Sequence, residues 1–436
     1  MPNPVRIPDD TRSIHKIGEF IMSYQPYQNA YLNALVNRIG RVLVTSSIWN
    51  DPWAVFDKGR LEYGETVEEI FANVAKPFTY DPAESETKLY KRHIPDVRAA
   101  FHSMNWQKVY PVTVSNDQLR QAFISYGEMT SLIAYIVDTL YTGMSLDVFL
   151  TKKYMLCREA LNGGIYTVVT APISGTNANP EDAVEKYREY TNNLTFLKTT
   201  YNRAHVRNHT PIDKQVIIVP NKAEAVIGVK VLAAAFNLSE VDYISRRIAV
   251  DSFEFDADDE ERLALLFAND DTYVPFTPEE KAALRKINAV KLDTDWFMCF
   301  TNFEQFTENY NGLGLYWQYF YHGWRIFSVS PFANAVLFTE EASNIKTVKV
   351  SPTTANVAQG TFIQMSATVT GTGLFDKAVT WSISSTSDLA SGTSIDGGTG
   401  LLRVAADEVA GTAITVTATA VDGKTGTATI TVVAAS

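Results

Sequence analysis

One change of composition divides this sequence and limits what it can fold into. As far as Thr339-Glu-Glu-Ala-Ser-Asn344 the chain is strongly aromatic, and beyond it the residues are mainly Thr, Ala, Val and Gly. Six of the seven Trp and all 21 Tyr come before this point, whereas the remainder holds only Phe362, Phe375 and Trp381 as aromatic side chains. Large rings and small aliphatic side chains do not fill space in the same way, so two separate cores are expected, one in 1–345 and one in 346–436. A length of 436 residues agrees, being too long for one ordinary domain and enough for two or three.

The tail reads as short strands. In Ile414-Thr-Val-Thr-Ala-Thr-Ala-Val421 aliphatic and threonine side chains alternate, the period-2 pattern of a half-buried strand. Turn signals at Gly360, Gly371-Thr-Gly373, Gly397-Gly398, Gly411 and Asp422-Gly423 recur at the intervals of an all-β sandwich, and Trp381 is the one bulky side chain available to fill its centre.

The first part mixes helix and strand. Met129, Leu132, Ile133, Ile136, Val137, Leu140 and Tyr141 keep a three-and-four spacing that predicts a helix with one apolar face. A second helix is predicted from a Ser145 cap to Gly163-Gly164, so that 127–162 forms one nearly continuous helical element. Residues 59–114, charged and interrupted by Pro77, Pro82, Pro95 and Pro111, read as an excursion from the core. Val216-Ile-Ile-Val219 predicts a strand leading into a helix. Asp295-Trp-Phe-Met298 and the run from Leu313 to Phe327 predict aromatic strands. In the latter Leu315, Trp317, Tyr319 and Tyr321 alternate with Tyr316, Phe320 and Trp324, so both faces need cover from the domain itself or from a neighbouring subunit.

Charge and chemistry narrow the function. The net charge is −11 and neither end carries a basic run, which disfavours tight binding of nucleic acid. The start, Met-Pro-Asn-Pro-Val-Arg-Ile-Pro8, has no apolar stretch of a secretory leader, and no apolar run approaches the ~20 residues of a membrane span, so a soluble protein is expected. Cys157 and Cys299 have no partner spacing, which predicts free thiols in a reducing cytoplasm. His205 and His209 are four apart, but Pro211 ends any helix and no acid or Cys joins them; surface histidines are the reading. Asp256-Ala-Asp-Asp-Glu-Glu261 lacks the glycine and final glutamate of a calcium loop and reads as a solvated loop or first helical turn. Glu65, Glu68 and Glu69 are read as acids at a helix start rather than as a catalytic pair. Gly423-Lys-Thr425 ends like a phosphate-binding loop, but Ala418 stands where the first glycine is required, and the run is read as a hairpin turn. Neither catalytic nor metal nor cofactor-binding residues are predicted, and the chain is read as no enzyme.

Two resemblances sharpen this. Val348-Lys-Val-Ser-Pro352, Gly360, Ala378-Val-Thr-Trp381-Ser, Gly400-Leu, Ala413 to Ala420 and Ala428-Thr-Ile-Thr-Val432 resemble the bacterial immunoglobulin-like group 2 (Big-2) domain. In the first part, Gly64-Glu-Thr-Val-Glu-Glu-Ile70, Pro95-Asp-Val-Arg-Ala-Ala-Phe-His102, Asp117-Gln-Leu-Arg-Gln-Ala-Phe123, Val231-Leu-Ala-Ala-Ala-Phe-Asn237, Asp295-Trp-Phe-Met298, Gly314-Leu-Tyr-Trp317, Tyr319-Phe-Tyr-His322 and Phe332-Ala-Asn-Ala-Val336 resemble the major capsid proteins of phi-29-like short-tailed phages (podoviruses). The fold class implied is α+β, a Hong Kong 97-type capsid fold followed by an all-β immunoglobulin-like sandwich. In that frame 1–45 is an N-terminal arm, 59–114 the extended loop, 127–162 the spine helix, 165–290 the axial domain, and 295–338 the strands returning to the peripheral platform. The tail, 346–436, is the Big-2 domain.

The resemblance implies a structural subunit of the virion, assembled in the host cytoplasm into pentamers and hexamers of an icosahedral head. Its implied partners are other copies of itself, a separate scaffolding protein, a portal or connector, and head fibre or decoration proteins; double-stranded DNA is enclosed without sequence-specific contact. Ile70, Phe71, Val74, Leu89, Tyr90 and Ile94 of the extended loop are the candidate inter-subunit residues, and Trp317, Trp324 and Trp381 the candidate core. A different reading of the whole chain remains open at this point: a cell-surface adhesin or cell-wall-acting enzyme carrying a Big-2 binding module.

Overall fold

The computed structural model describes residues 49–61, 66–75, 77, 82, 95–115, 126–175, 177–230, 246–268, 270, 272–340 and 344–435. In chain order the first part has strands β1 (Asp57–Arg60), β2 (Thr66–Ala72), β3 (Val97–Ser103) and β4 (Trp106–Ser115), and then a 37-residue helix, α1 (Tyr126–Asn162). There follow β5 (Tyr166–Val169), α2 (Pro180–Asn193), β6 (Gln215–Pro220), α3 (Asn221–Lys230), β7 (Arg246–Val250), α4 (Ala257–Leu266) and α5 (Pro278–Leu284). Strands β8 (Ile287–Asp293), β9 (Phe297–Asn311), β10 (Tyr316–Val329) and β11 (Ala335–Thr339) complete it. The tail is entirely strand and turn among the described residues. It holds β12 (Asn344–Ser351), β13 (Thr354–Ala358), β14 (Phe362–Gln364), β15 (Ser366–Thr372), β16 (Val379–Ser385), β17 (Ser394–Ile395), β18 (Leu401–Arg403), β19 (Ala413–Ala420) and β20 (Thr425–Val433).

Two compact units result. One is built from residues before Glu68 together with His102–Lys152 and Cys299–Phe327, the other from Glu68–Phe101, Lys153–Met298 and Ser328–Ser436. The tail therefore shares a unit with much of the first part, a division different from the expected boundary at 345.

The first unit is a four-stranded sheet, β1-β9-β10-β4, packed against α1 through Tyr141, Met144 and Asp147. Strand β4 runs antiparallel to β10 from Tyr316 opposite Ser115 to Arg325 opposite Trp106. It is an edge strand, which is why Pro111, with no N–H to donate, is tolerated opposite Phe320. Residues 106–114, expected in the excursion, are thus part of this sheet. Helix and sheet come closest at Gly323, where a Cβ would stand 2.5 Å from Met144 Cε and 3.2 Å from the Trp106 ring. Lys152 is fully buried here, its Nζ 2.7 Å from Asp51 Oδ2 and 2.7 Å from Asp57 Oδ1.

Helix α1 differs from expectation at Ser145, where there is no break: the residue lies inside a continuous helix whose Leu140, Met144, Val148 and Leu150 are all buried. Burial of Leu140 and Met144 before it and of every residue from Asp147 to Lys153 after it outweighs the local preference of a serine for a cap. The side chains of Met129 to Val137 lie outside the described residues. The expected stop does occur at Gly163-Gly164. Gly163 takes φ +69°, its N–H meets Ala160 O at 3.2 Å, and Gly164 N–H meets Glu159 O at 2.9 Å, a Schellman ending.

In the second unit β5-β11-β8-β6-β7 form one five-stranded sheet. Every residue of β8 and β11 and all but Pro220 of β6 are buried, the signature of central strands covered on both faces. Helices α2 and α3 supply one cover through Ala183, Val184, Tyr187, Ala223 and Ile227, which share a core with Ile217, Ala289 and Phe338. Strand β11, expected in the platform with β10, lies instead between β5 and β8.

The tail strands arrange as β13-β20-β19-β16, β12-β15 and β14-β18-β17 around one core that includes Trp381, Leu402, Ile414, Val416, Ala418, Ile430 and Val432. The alternation along Ile414–Ala420 is the observed one: Ile414, Val416, Ala418 and Ala420 are buried and the threonines between are half-buried.

Candidate functional site

The expected extended loop contains a two-stranded sheet, β2 with β3. Both strands alternate strictly, and the alternation separates two faces. One face carries Glu69, Phe71, Arg98 and Ala100, which are half-buried. The Phe71 ring stacks on Phe332 at 5.5 Å, Ser330 Oγ donates to Glu69 Oε1 at 2.8 Å, and an Arg98 N–H donates to the carbonyl of Ala204 at 2.5 Å. The opposite face carries Ile70, Ala72, Val97, Ala99 and Phe101 and is open to solvent, with Phe101 68% and Ile70 63% exposed. Between the strands, Asn73 Nδ2 donates to Asp96 Oδ2 at 3.1 Å; this bond first and Arg98 after it hold the Asp96 carboxyl below its ordinary range.

Of the candidate inter-subunit residues, Ile70 and Val74 are exposed and Phe71 is half-buried against Phe332. Leu89, Tyr90 and Ile94 lie outside the described residues. Val97 and Phe101 were not singled out from the sequence, although Val97-Arg-Ala-Ala-Phe-His-Ser103 alternates and would have placed them together. Among the candidate core residues Trp317 and Trp381 are buried. Trp324 is not: it is 36% exposed, because β10 buries only the face bearing Trp317, Tyr319, Tyr321 and Gly323, while Tyr316 and Phe320 on the other face are half-buried. Glu68 and Glu69 lie in strand β2 and not at a helix start, the alternation of Thr66–Ala72 having prevailed over the preference of acids for a first turn.

The remaining reactive groups are placed for structure. Burial pushes both the Cys157 and the Cys299 thiol up to about 12, so neither is a thiolate near neutrality. His205 and His209 lie in irregular chain, not on a helix, with His205 half-buried and His209 exposed. Asp256 caps α4, its Oδ1 accepting from Asp259 N–H at 2.8 Å, and Asp258, Asp259 and Glu260 fill the first turn, where the helix dipole favours them. Gly423-Lys424 forms the turn between β19 and β20. No cluster of three or more potential metal ligands occurs among the described residues, and no described helix is long and apolar enough to cross a membrane.

A long helix, two sheets covered by helices and an apolar strand pair open to solvent make up a fold found among phage capsid chains. The solved structures agree on the fold. One chain in the structure of head fiber and inner core protein gp22 of native bacteriophage P68 superposes with a TM-score of 0.52 at 16% identity, covering 68% of this chain and 86% of that one. A chain in the capsid structure of Staphylococcus phage Andhra superposes equally well, with the same TM-score, identity and coverage.

This chain belongs to the Phi29-like phage major capsid protein family, whose model matches residues 7–339. The major capsid protein of Bacillus phage B103 is 32% identical over 405 residues, 92% of this chain and 82% of that one. That of Bacillus phage PZA is 32% identical over 401 residues, 91% and 82%. The protein is accordingly a structural component of a phage virion, with a Hong Kong 97-type fold, whose copies assemble into the capsid shell. Membership in this family replaces the alternative reading of the chain as an adhesin or wall-acting enzyme. The family match ends at 339, just where the composition changes.

Proposed function

We propose that the β2–β3 strand pair is the extended loop through which one copy covers part of the next, and that its open face is the contact. The observation that carries this is the row of solvent-exposed apolar side chains Ile70, Val97 and Phe101 on a pair whose other face is already seated on its own subunit. Exposed apolar area of this kind marks an interaction site, and heterologous contacts between identical copies close rings and shells. In this reading α1 is the spine helix and residues 165–290 form the axial domain that meets symmetry axes in pentamers and hexamers; the N-terminal arm expected in 1–45 lies outside the described residues. The tail is a Big-2 immunoglobulin-like domain, supported by its nine strands around Trp381. Assembly uses a separate scaffolding protein, a portal or connector occupies one vertex, and head fibre or decoration proteins bind the outer surface, as the family resemblance implies.

The test is the pair Ile70→Ser and Phe101→Ser in one chain, co-expressed with its scaffold. The expected product melts like the parent, because neither side chain contributes to the core, yet gives few closed shells by electron microscopy. Normal shells would remove this face from assembly.

A further inference from the structure

Residues 202–208 are a short irregular segment on which two otherwise separate pieces of the second unit converge. Asn202, only 5% exposed, holds the segment in shape, its Oδ1 accepting from Val206 N–H at 2.9 Å and its Nδ2 donating to Val206 O at 2.8 Å. Ala204 N–H is tied to Pro331 O at 2.8 Å. Between them His205 adopts φ +52°, a conformation unfavourable for a residue with a Cβ that persists only where its surroundings enforce it.

The β2–β3 pair rests on one side of this segment. Asn73 Oδ1 accepts from Arg207 N–H at 3.2 Å, and the Arg98 guanidinium donates to Ala204 O at 2.5 Å. The tail rests on the other side. A Cβ added to Gly398 would stand 2.7 Å from His205 Cβ, so backbone and ring meet with no room between them. The triangle is closed by Arg98, whose NH2 lies 3.6 Å from Asp396 Oδ2, two residues before Gly398. The tail is held at a second point as well, where Lys377 N–H donates to Gly163 O at 3.1 Å at the end of α1 and a Cβ on Gly163 would stand 2.6 Å from Phe375 O. Two anchors separated in sequence prevent the tail from pivoting on a tether.

We infer that the C-terminal domain is a brace: through residues 204–207 and Arg98 it holds the β2–β3 pair in one orientation on its own subunit. The importance of that orientation for shell closure rests on the reading of the pair as the assembly loop, while the coupling itself does not. The domain thus has a role inside the subunit that needs no external ligand. It also accounts for His205, because the left-handed turn brings Ala204 O and Arg207 N–H to the strand pair while the ring side meets Gly398.

Hydrogen–deuterium exchange of the full chain, read peptide by peptide, tests the coupling. Gly398 has no need of positive φ, so Gly398→Ala acts through the collision with His205 alone, at a residue that does not touch the strand pair. Asp396→Asn is the milder variant: its amide oxygen still accepts from Gly398 and Thr399 N–H, as Oδ1 does now at 3.0 and 2.8 Å, while the charge facing Arg98 is gone. Exchange in 66–75 and 97–103 is expected to rise roughly three- to five-fold in both variants, with β8 and β19 unchanged. A rise confined to 202–208 and 394–400 would overturn the brace. Should Gly398→Ala loosen β19 and β20 as well, Asp396→Asn alone decides, with the same two outcomes. Fewer closed shells alongside faster exchange bears on the assembly reading; unchanged shells with faster exchange would sink that reading and leave the brace standing.

Discussion

Gly400 presents a bare Cα to the indole of Trp381: a Cβ there would stand 2.7 Å from Cε2, and the residue takes φ +73°. Glycine is required twice over, for space and for backbone conformation. Both Trp381→Ala, which empties the centre of the tail core, and Gly400→Ala, which overfills it, are expected to destabilise the tail. The loss for Trp381→Ala is roughly 3–5 kcal/mol. The isolated segment 344–436 is expected to melt cooperatively, with a midpoint that falls in both variants. An unchanged midpoint would mean that Trp381 is not central to the core.

Lys152 is the second sensitive point. Its ammonium is fully buried between the carboxylates of Asp51 and Asp57. Lys152→Met leaves Asp51, 9% exposed, with the Trp53 N–H at 2.7 Å but without its cation, and a loss of about 3–5 kcal/mol is expected. A thermal melt of the variant checks this, and a midpoint within a degree of the parent would refute it.

Lys291 predicts a dependence on pH. Its side chain is fully buried in β8, where Nζ donates to Tyr187 O at 3.0 Å and to the Thr191 hydroxyl, and burial lowers its pKa from the ordinary 10.5 to about 7. Between those two values the unfolded chain binds a proton that the folded chain does not. Stability therefore rises with pH across this window, by up to ~1.4 kcal/mol per unit from this group, and the whole penalty is present below pH 7. Lys291→Met keeps the apolar stem and leaves the Thr191 hydroxyl bonded to Tyr187 O at 2.7 Å. It is expected to melt above the parent at pH 6 by more than it does at pH 9, the advantage vanishing only near pH 10.5. An advantage equal at both values would show that the amine does not titrate there.

The acidic balance of the chain, −11 overall, predicts that nucleic acid contributes little to holding the shell together. Shells are expected from chain and scaffold in the absence of DNA or RNA, seen as empty particles by electron microscopy. A strict requirement for nucleic acid would overturn this.

Local signals in the sequence were enough for the separate cluster of small aliphatic side chains in the tail, for the long helix with its Gly163 stop and for the strand alternation of the tail. Each rests on neighbours within a turn or a strand: period 2 along Ile414–Ala420, the paired glycines after Asn162 and the scarcity of rings beyond 345. Family resemblance added the capsid fold. What chain-local patterns could not decide was who covers whom. Trp324 reads like Trp317 in sequence, yet one is open and the other buried, because only one face of β10 meets α1 and its neighbours. Val336 to Phe338 look like a continuation of the aromatic strands but pair with β5 and β8, and Phe71 finds Phe332 across more than 250 positions. The convergence of Arg98, His205 and Asp396 has no signature in the sequence at all. Period and propensity set which side of an element is apolar, whereas its partner is chosen by long-range packing, a property of the folded chain as a whole.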